Sequence, residues 1–112
     1  MEFLVEFDLH IPDGTPESEV NQRLTAEAAA SAELGREGHL VRLWRPPVAP
    51  GERKALGLYR AESEGQLGKL LRALPLSVWM EATVTPLEPH PNDPLPSRER
   101  LNGHGAAVRV AG

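Results

Sequence analysis

Phe3, Val5, Phe7, Leu9 and Ile11 are apolar at every second position, and Leu4, Glu6, Asp8 and His10 stand between them. A period of two places the apolar set on one face of a strand and predicts a sheet with one buried side. Pro12, Asp13 and Gly14 end this strand, since proline donates no ladder hydrogen bond and the three together are turn residues. An apolar sheet face must be covered, so the elements that follow decide the fold.

The next segment reads as a helix over Thr15 to Glu37. Thr15 is placed as its N-cap, Pro16 at the first helical position, and Glu17 and Glu19 beside the positive end of the dipole. Gly38 stops it by taking the left-handed conformation. His39 to Arg45 reads as a second strand, apolar on both faces, which Pro46 and Pro47 end. A loop runs to Glu52, and Ala55 to Arg60 forms a third strand that Gly57 weakens. Ser63 caps a second helix with Leu67, Leu70, Leu71 and Leu74 on its apolar face and Pro75 at its end. Trp79 to Leu87 then alternates again, with Met80, Ala82 and Val84 opposite Glu81, Thr83 and Thr85.

The order strand, helix, strand, strand, helix, strand is the split βαβ pattern. It predicts an α+β, ferredoxin-like fold with both helices on one face of a four-stranded antiparallel sheet. The second face is expected to carry Glu6, Asp8 and His10 among Trp, Tyr, Arg or Thr side chains, a surface that a second subunit covers. Prolines at 86, 89, 91, 94 and 96 impose an extended course, and 94–112 reads as a proline-rich tail, extended or disordered.

Composition excludes several classes of function. A chain of 112 residues makes one domain, and its net charge of -4 offers no basic face for a nucleic acid. The absence of cysteine rules out disulfides, thiolate catalysis and a zinc ribbon. His10, His39, His90 and His104 share no ligand spacing on one element, so no metal site is expected. Neither a signal peptide nor a membrane span of roughly 18 apolar residues is legible, and a cytoplasmic location is expected.

Glu27 is the first candidate for chemistry. Val20, Leu24, Glu27, Ser31 and Leu34 follow one another at steps of 4, 3, 4 and 3, the spacing of one buried helical stripe, with a carboxylate near its centre. Desolvation raises the pKa of such a group toward the range useful for moving protons. The alternative is a helix rotated by about 40°, which brings Glu27 to the rim as an ordinary solvated charge.

Three segments resemble the muconolactone isomerase family over residues 1–93. They are Phe3-Leu4-Val5-Glu6-Phe7, then Arg36-Glu37-Gly38 leading into Leu43-Trp44-Arg45, then Leu74-Pro75-Leu76 running through Met80-Glu81, Val84 and Leu87 to His90-Pro91. The resemblance implies a subunit that pairs through its sheets as a dimeric α+β barrel and assembles into a ring-like decamer, with pockets at subunit contacts. It also implies a cofactor-free isomerase that turns muconolactone into the enol-lactone of 3-oxoadipate during catechol breakdown.

That chemistry needs one base and one stabiliser of negative charge. Glu27 matches a helix glutamate of the family pattern. The carboxylate of the lactone acid needs a cation, for which Arg42 and Arg45 are candidates; an odd number of positions apart, they point to opposite faces, so at most one lines the pocket. Each is otherwise a surface ion pair. Trp44 and Tyr59 are candidate walls or plain core, and His90 either reaches a neighbouring pocket or stands exposed. The chain departs from the family in its longer, proline-rich 46–54 loop, in Ala28 where the family has lysine, and in the tail. Those departures keep open a lactone isomerase for a different ring substituent, or a small-acid-binding protein on the same fold that turns nothing over; a cofactor-independent oxygenase has no residue that points to it.

Overall fold

The computed structural model describes residues 1–95. Its elements run β1 (Glu2–Leu9), α1 (Glu17–Arg36), β2 (Leu40–Trp44), β3 (Lys54–Arg60), α2 (Glu64–Arg72), a single 3-10 turn (Ser77–Trp79) and β4 (Met80–Leu87). The four strands form one antiparallel sheet in the order β2-β3-β1-β4. This is the ferredoxin-like α+β arrangement that the alternating and helical segments imply. Of the tail expected from 94 onward, Pro94 and Leu95 are described and 96–112 lies outside the described residues.

Register explains the two faces. Phe3, Val5, Phe7 and Leu9 stand opposite Tyr59, Gly57 and Ala55 of β3 and opposite Pro86, Val84, Ala82 and Met80 of β4, so these positions share the side that the helices cover. Phe3, Val5, Phe7 and Tyr59 are buried there with Leu34 of α1 and Leu67, Leu71 and Leu74 of and just after α2. Leu4, Glu6 and Asp8 share the other side with Leu58, Leu56 and Lys54 and with Thr85, Thr83 and Glu81. The expectation of a tyrosine on this open face is corrected: Tyr59, the chain's single tyrosine, is 2% exposed and faces the helices. His10 lies just past β1, 3.8 Å from both Asp8 and Glu81.

β2 contains an irregularity. Leu40 stands opposite Tyr59 but Arg42 stands opposite Leu58, so Val41 is an extra residue. Such a bulge inverts the alternation beyond it. Arg42 and Trp44 therefore point to the open side, and Leu43, opposite Gly57, points to the helix side.

The helix ends follow local chemistry. Gly38 takes φ +84°, its N–H donates to Gly35 and that of His39 donates to Leu34, which is the Schellman closure that glycine permits. Ser63 accepts from the Gln66 N–H at 3.0 Å and caps α2. Thr15 does otherwise than expected. Its hydroxyl donates to the Pro12 carbonyl at 2.6 Å, closing the preceding turn, and Pro16 occupies the cap of α1 with no side-chain hydrogen bond.

The inward stripe of α1 also differs from the 4-3-4-3 reading at one step. Leu24 is 36% exposed, and Arg23 turns inward beside Val20, Glu27, Ala30, Ser31 and Leu34. The cause is Trp79, which the 3-10 turn buries beneath α1 and over which the Arg23 guanidinium lies at 5.0 Å. Among the described residues no helix is long and apolar enough to cross a membrane.

Candidate active site

Glu27 lies half-buried on α1, neither sealed in the core nor on the rim. Its Oε1 accepts the N–H of Leu76 at 3.0 Å. Burial raises its pKa above the ordinary carboxylate value of 4.5, and the Leu76 hydrogen bond, which favours the charged form, opposes that rise. Among the described residues Oε2 has no hydrogen-bond partner. A carboxylate held by one oxygen and open at the other is suited to take and return a proton.

A cavity of about 160 Å³ opens beside it, between α1 and the helix-facing side of the sheet. Phe7 and Leu9 of β1, Leu43 of β2, Ala55 and Tyr59 of β3, Leu76 and Met80 form a mainly apolar wall around Glu27, and Ser31 of α1 adds a hydroxyl. The pKa of Tyr59 is pushed up to about 12, by burial first and by the Glu27 charge second. Its phenol therefore stays protonated and remains a hydrogen-bond donor at neutral pH.

Gly57 places that phenol. A Cβ at this position would stand 2.6 Å from Tyr59 Cε1, so the ring lies back along β3 over the space that the glycine leaves. Phe7 holds its other side edge-on, with ring centroids 6.0 Å apart. The glycine that weakens β3 as a strand is the one that seats its tyrosine.

Of the residues singled out from sequence, the structure brings Glu27 and Tyr59 together at one cavity. Arg42 and Trp44 are paired on the opposite side of the sheet, the guanidinium 5.0 Å from the indole centre. Arg45 is exposed one residue beyond β2. His90 is exposed and caps its own turn, its Nδ1 accepting from the Asn92 N–H at 3.0 Å. Lys54 borders the cavity and was not among the candidates; its ammonium is 4.0 Å from Asp8. Alternation identifies Lys54 only as an open-face residue, and its place at the cavity rim carries no signal in the sequence.

A wider cleft of about 710 Å³ lies between the β1–α1 turn and Gly51 and Arg53. Its acidic groups, Asp13 and Glu17, are exposed, so it lacks the desolvation that marks the Glu27 cavity. Among the described residues no three His, Asp or Glu side chains group as a metal would require.

The family model for muconolactone delta-isomerase matches residues 1–93. The chain belongs to the muconolactone delta-isomerase family. A relative of that name from Acinetobacter baylyi is 34% identical over 92 residues, covering 82% of this chain and 93% of that protein. Muconolactone delta-isomerase 1 of Acinetobacter lwoffii is likewise 34% identical over the same shares. The crystal structure of a muconolactone isomerase superposes with a TM-score of 0.76 at 26% identity, covering 87% of this chain and 98% of that one. Family and fold thus agree with the segments that carry the resemblance, and they mark the chain as an isomerase.

Proposed function

We propose that this chain converts muconolactone into the enol-lactone of 3-oxoadipate, a step in the breakdown of aromatic compounds, by proton transfer through Glu27. The Glu27 carboxylate removes the γ-proton of the α,β-unsaturated lactone, and the charge spreads through a dienolate onto the ring carbonyl oxygen. Tyr59 O–H donates to that oxygen as its charge develops. Glu27 then returns the proton at the α-carbon, which leaves the double bond between the β- and γ-carbons. A carboxyl whose pKa burial has raised serves both halves, as base and then as acid. The observation that carries this reading is the convergence of Glu27 and Tyr59 on one apolar cavity.

The substrate's own carboxylate stays outside that apolar pocket and needs a cation. Arg45 is assigned this part. Pro46 keeps it extended, so it continues the side of β2 on which Leu43 reaches the cavity. Arg42 and Trp44 instead belong to the open face with Leu4, Leu56 and Leu58, where a second copy covers them; that pairing, and a ring of pairs, is the proposed assembly. His90 reaches a site only across such a contact. The proposed setting is the cytoplasm, and 1–93 is the proposed functional unit.

The test is an absorbance or NMR assay of muconolactone with the purified chain. Glu27→Gln should lower turnover by about a hundredfold or more, and substrate recovered part-way from heavy water should carry deuterium. Wild-type turnover in the glutamine variant would remove Glu27 from its role. Thermal stabilisation by the lactone with no product formed would favour the small-acid-binding alternative.

A further inference from the structure

The Pro75–Leu76 peptide has neither of its polar groups bonded to backbone. Both go to α1. Arg23 Nη1 donates to the Pro75 carbonyl at 2.8 Å, and the Leu76 N–H donates to Glu27 Oε1 at 3.0 Å. The peptide is trans, so its C=O and N–H project from opposite edges of one rigid plane. Arg23 and Glu27, one helical turn apart, grip the two edges.

Arg23 is itself braced. Its guanidinium lies over the Trp79 ring at 5.0 Å, and its Nε is buried without a hydrogen bond, 3.8 Å from Glu19. It does not line the Glu27 cavity, so it touches no substrate there. What it governs is the peptide that holds the base. If the carbonyl edge is released, the plane is free to turn about its neighbouring bonds, and the N–H edge leaves Glu27.

We propose that Arg23 is a positioning residue for Glu27: by holding the Pro75 carbonyl it fixes the Leu76 N–H on one carboxylate oxygen and so presents the other to the cavity. This rests on the reading of Glu27 as the base. The charged or titratable groups around that carboxyl are Arg23 on its own helix and Tyr59 and Lys54 from β3; Phe7 and Leu9 of β1, Leu43 of β2, Leu76 and Met80 bring none.

The test compares Arg23→Met, which keeps an apolar stem over Trp79 but no donor, with Arg23→Lys, which keeps a donor. Glu27 is titrated by NMR of its labelled carboxyl carbon, and hydrogen exchange is read at the Leu76 amide. Arg23→Met should move the Glu27 midpoint upward, because the carboxylate loses a donor, and should speed Leu76 exchange; Arg23→Lys should restore part of both. Turnover in Arg23→Met should fall about tenfold to a hundredfold with KM little changed, the scale of a misplaced catalytic group.

Loss of the positive charge alone also raises the midpoint, and salt screens a half-buried pair only weakly, so exchange at the Leu76 amide is what separates the grip from the charge. A Leu76 amide in Arg23→Met as protected as in the wild type, or a Glu27 midpoint that does not move, would overturn the proposal. If Arg23→Met does not fold, the wild type still decides: Leu76 N–H and Arg23 Nη–H resonances should follow the Glu27 midpoint, and independence of the two from it would overturn the proposal equally. Failure of the wild type to turn over muconolactone removes the functional reading, while the titration and exchange results still judge the grip.

Discussion

Gly57→Ala separates the demands of the strand from those of the site. The added Cβ would meet Tyr59 Cε1 at 2.6 Å, Tyr59 Cδ1 at 3.2 Å and Leu43 Cδ1 at 3.4 Å. Optimal carbon contacts lie at about 3.5–4.0 Å, so the overlap with the ring is roughly 1 Å. Backbone strain plays no part, because Gly57 is not among the positive-φ residues. The ring cannot step aside, since Tyr59 is 2% exposed and Phe7 lies against it. Overpacking of this kind costs about 1–3 kcal/mol. In a domain of this size that lowers Tm by very roughly 5–20 °C.

The decisive control is the same change beside Tyr59→Val, where no ring is left to strike. There the alanine should be neutral or stabilising by about 0.4–1 kcal/mol, through reduced freedom of the unfolded chain. Thermal melts of the two single variants and the double variant complete the cycle. An alanine that costs the same in both backgrounds, or that leaves the wild-type Tm unmoved, would show that the glycine does not seat the tyrosine. If it does, turnover in Gly57→Ala should fall with stability, because the phenol is pushed off the cavity.

Glu27→Gln should also change stability with a definite sign. The folded-state pKa is raised above the ordinary 4.5, so stability is greatest below that value and falls as pH rises through the folded pKa. The glutamine variant lacks this slope. It should be more stable than wild type at pH 7, with the advantage gone in acid below about 4.5; parallel stability curves over that range would contradict the burial argument. Leu58→Lys adds a charge at the middle of the open face, opposite Leu4 and Arg42, and should shift sedimentation toward single subunits without loss of the far-ultraviolet spectrum. An unchanged particle mass would place the assembly contact elsewhere.

Much of this molecule is legible from residue order. Strict alternation in Phe3–Ile11 and Met80–Val84, the proline stops and Gly38 locate the elements and their sequence. Local chemistry reads well because it depends on a few neighbouring residues: Ser63 caps α2 and Gly38 closes α1 as their types require. Features set by distant contacts read poorly. Leu24 and Arg23 fit the same stripe almost equally, and Trp79, far along the chain, makes the arginine the inward choice. The Leu76 N–H that holds Glu27 carries no side-chain signature at all. Glu27 stood out as a charge in a stripe of apolar and small residues, whereas Leu43 and Met80 look like any strand residue until the sheet brings them to it.

Val41 has a consequence for how this site can change. It is the one residue by which β2 outnumbers its partner, and every side chain after it owes its direction to that surplus. Taking Val41 into the ladder opposite Leu58 would exchange the two sets: Arg42 and Trp44 would fall opposite Gly57 and Ala55 and turn inward, and Leu43 would turn out. A one-residue slip of β2 thus delivers a cation and an indole to the cavity with no change of sequence, an outcome that no single substitution at these positions achieves.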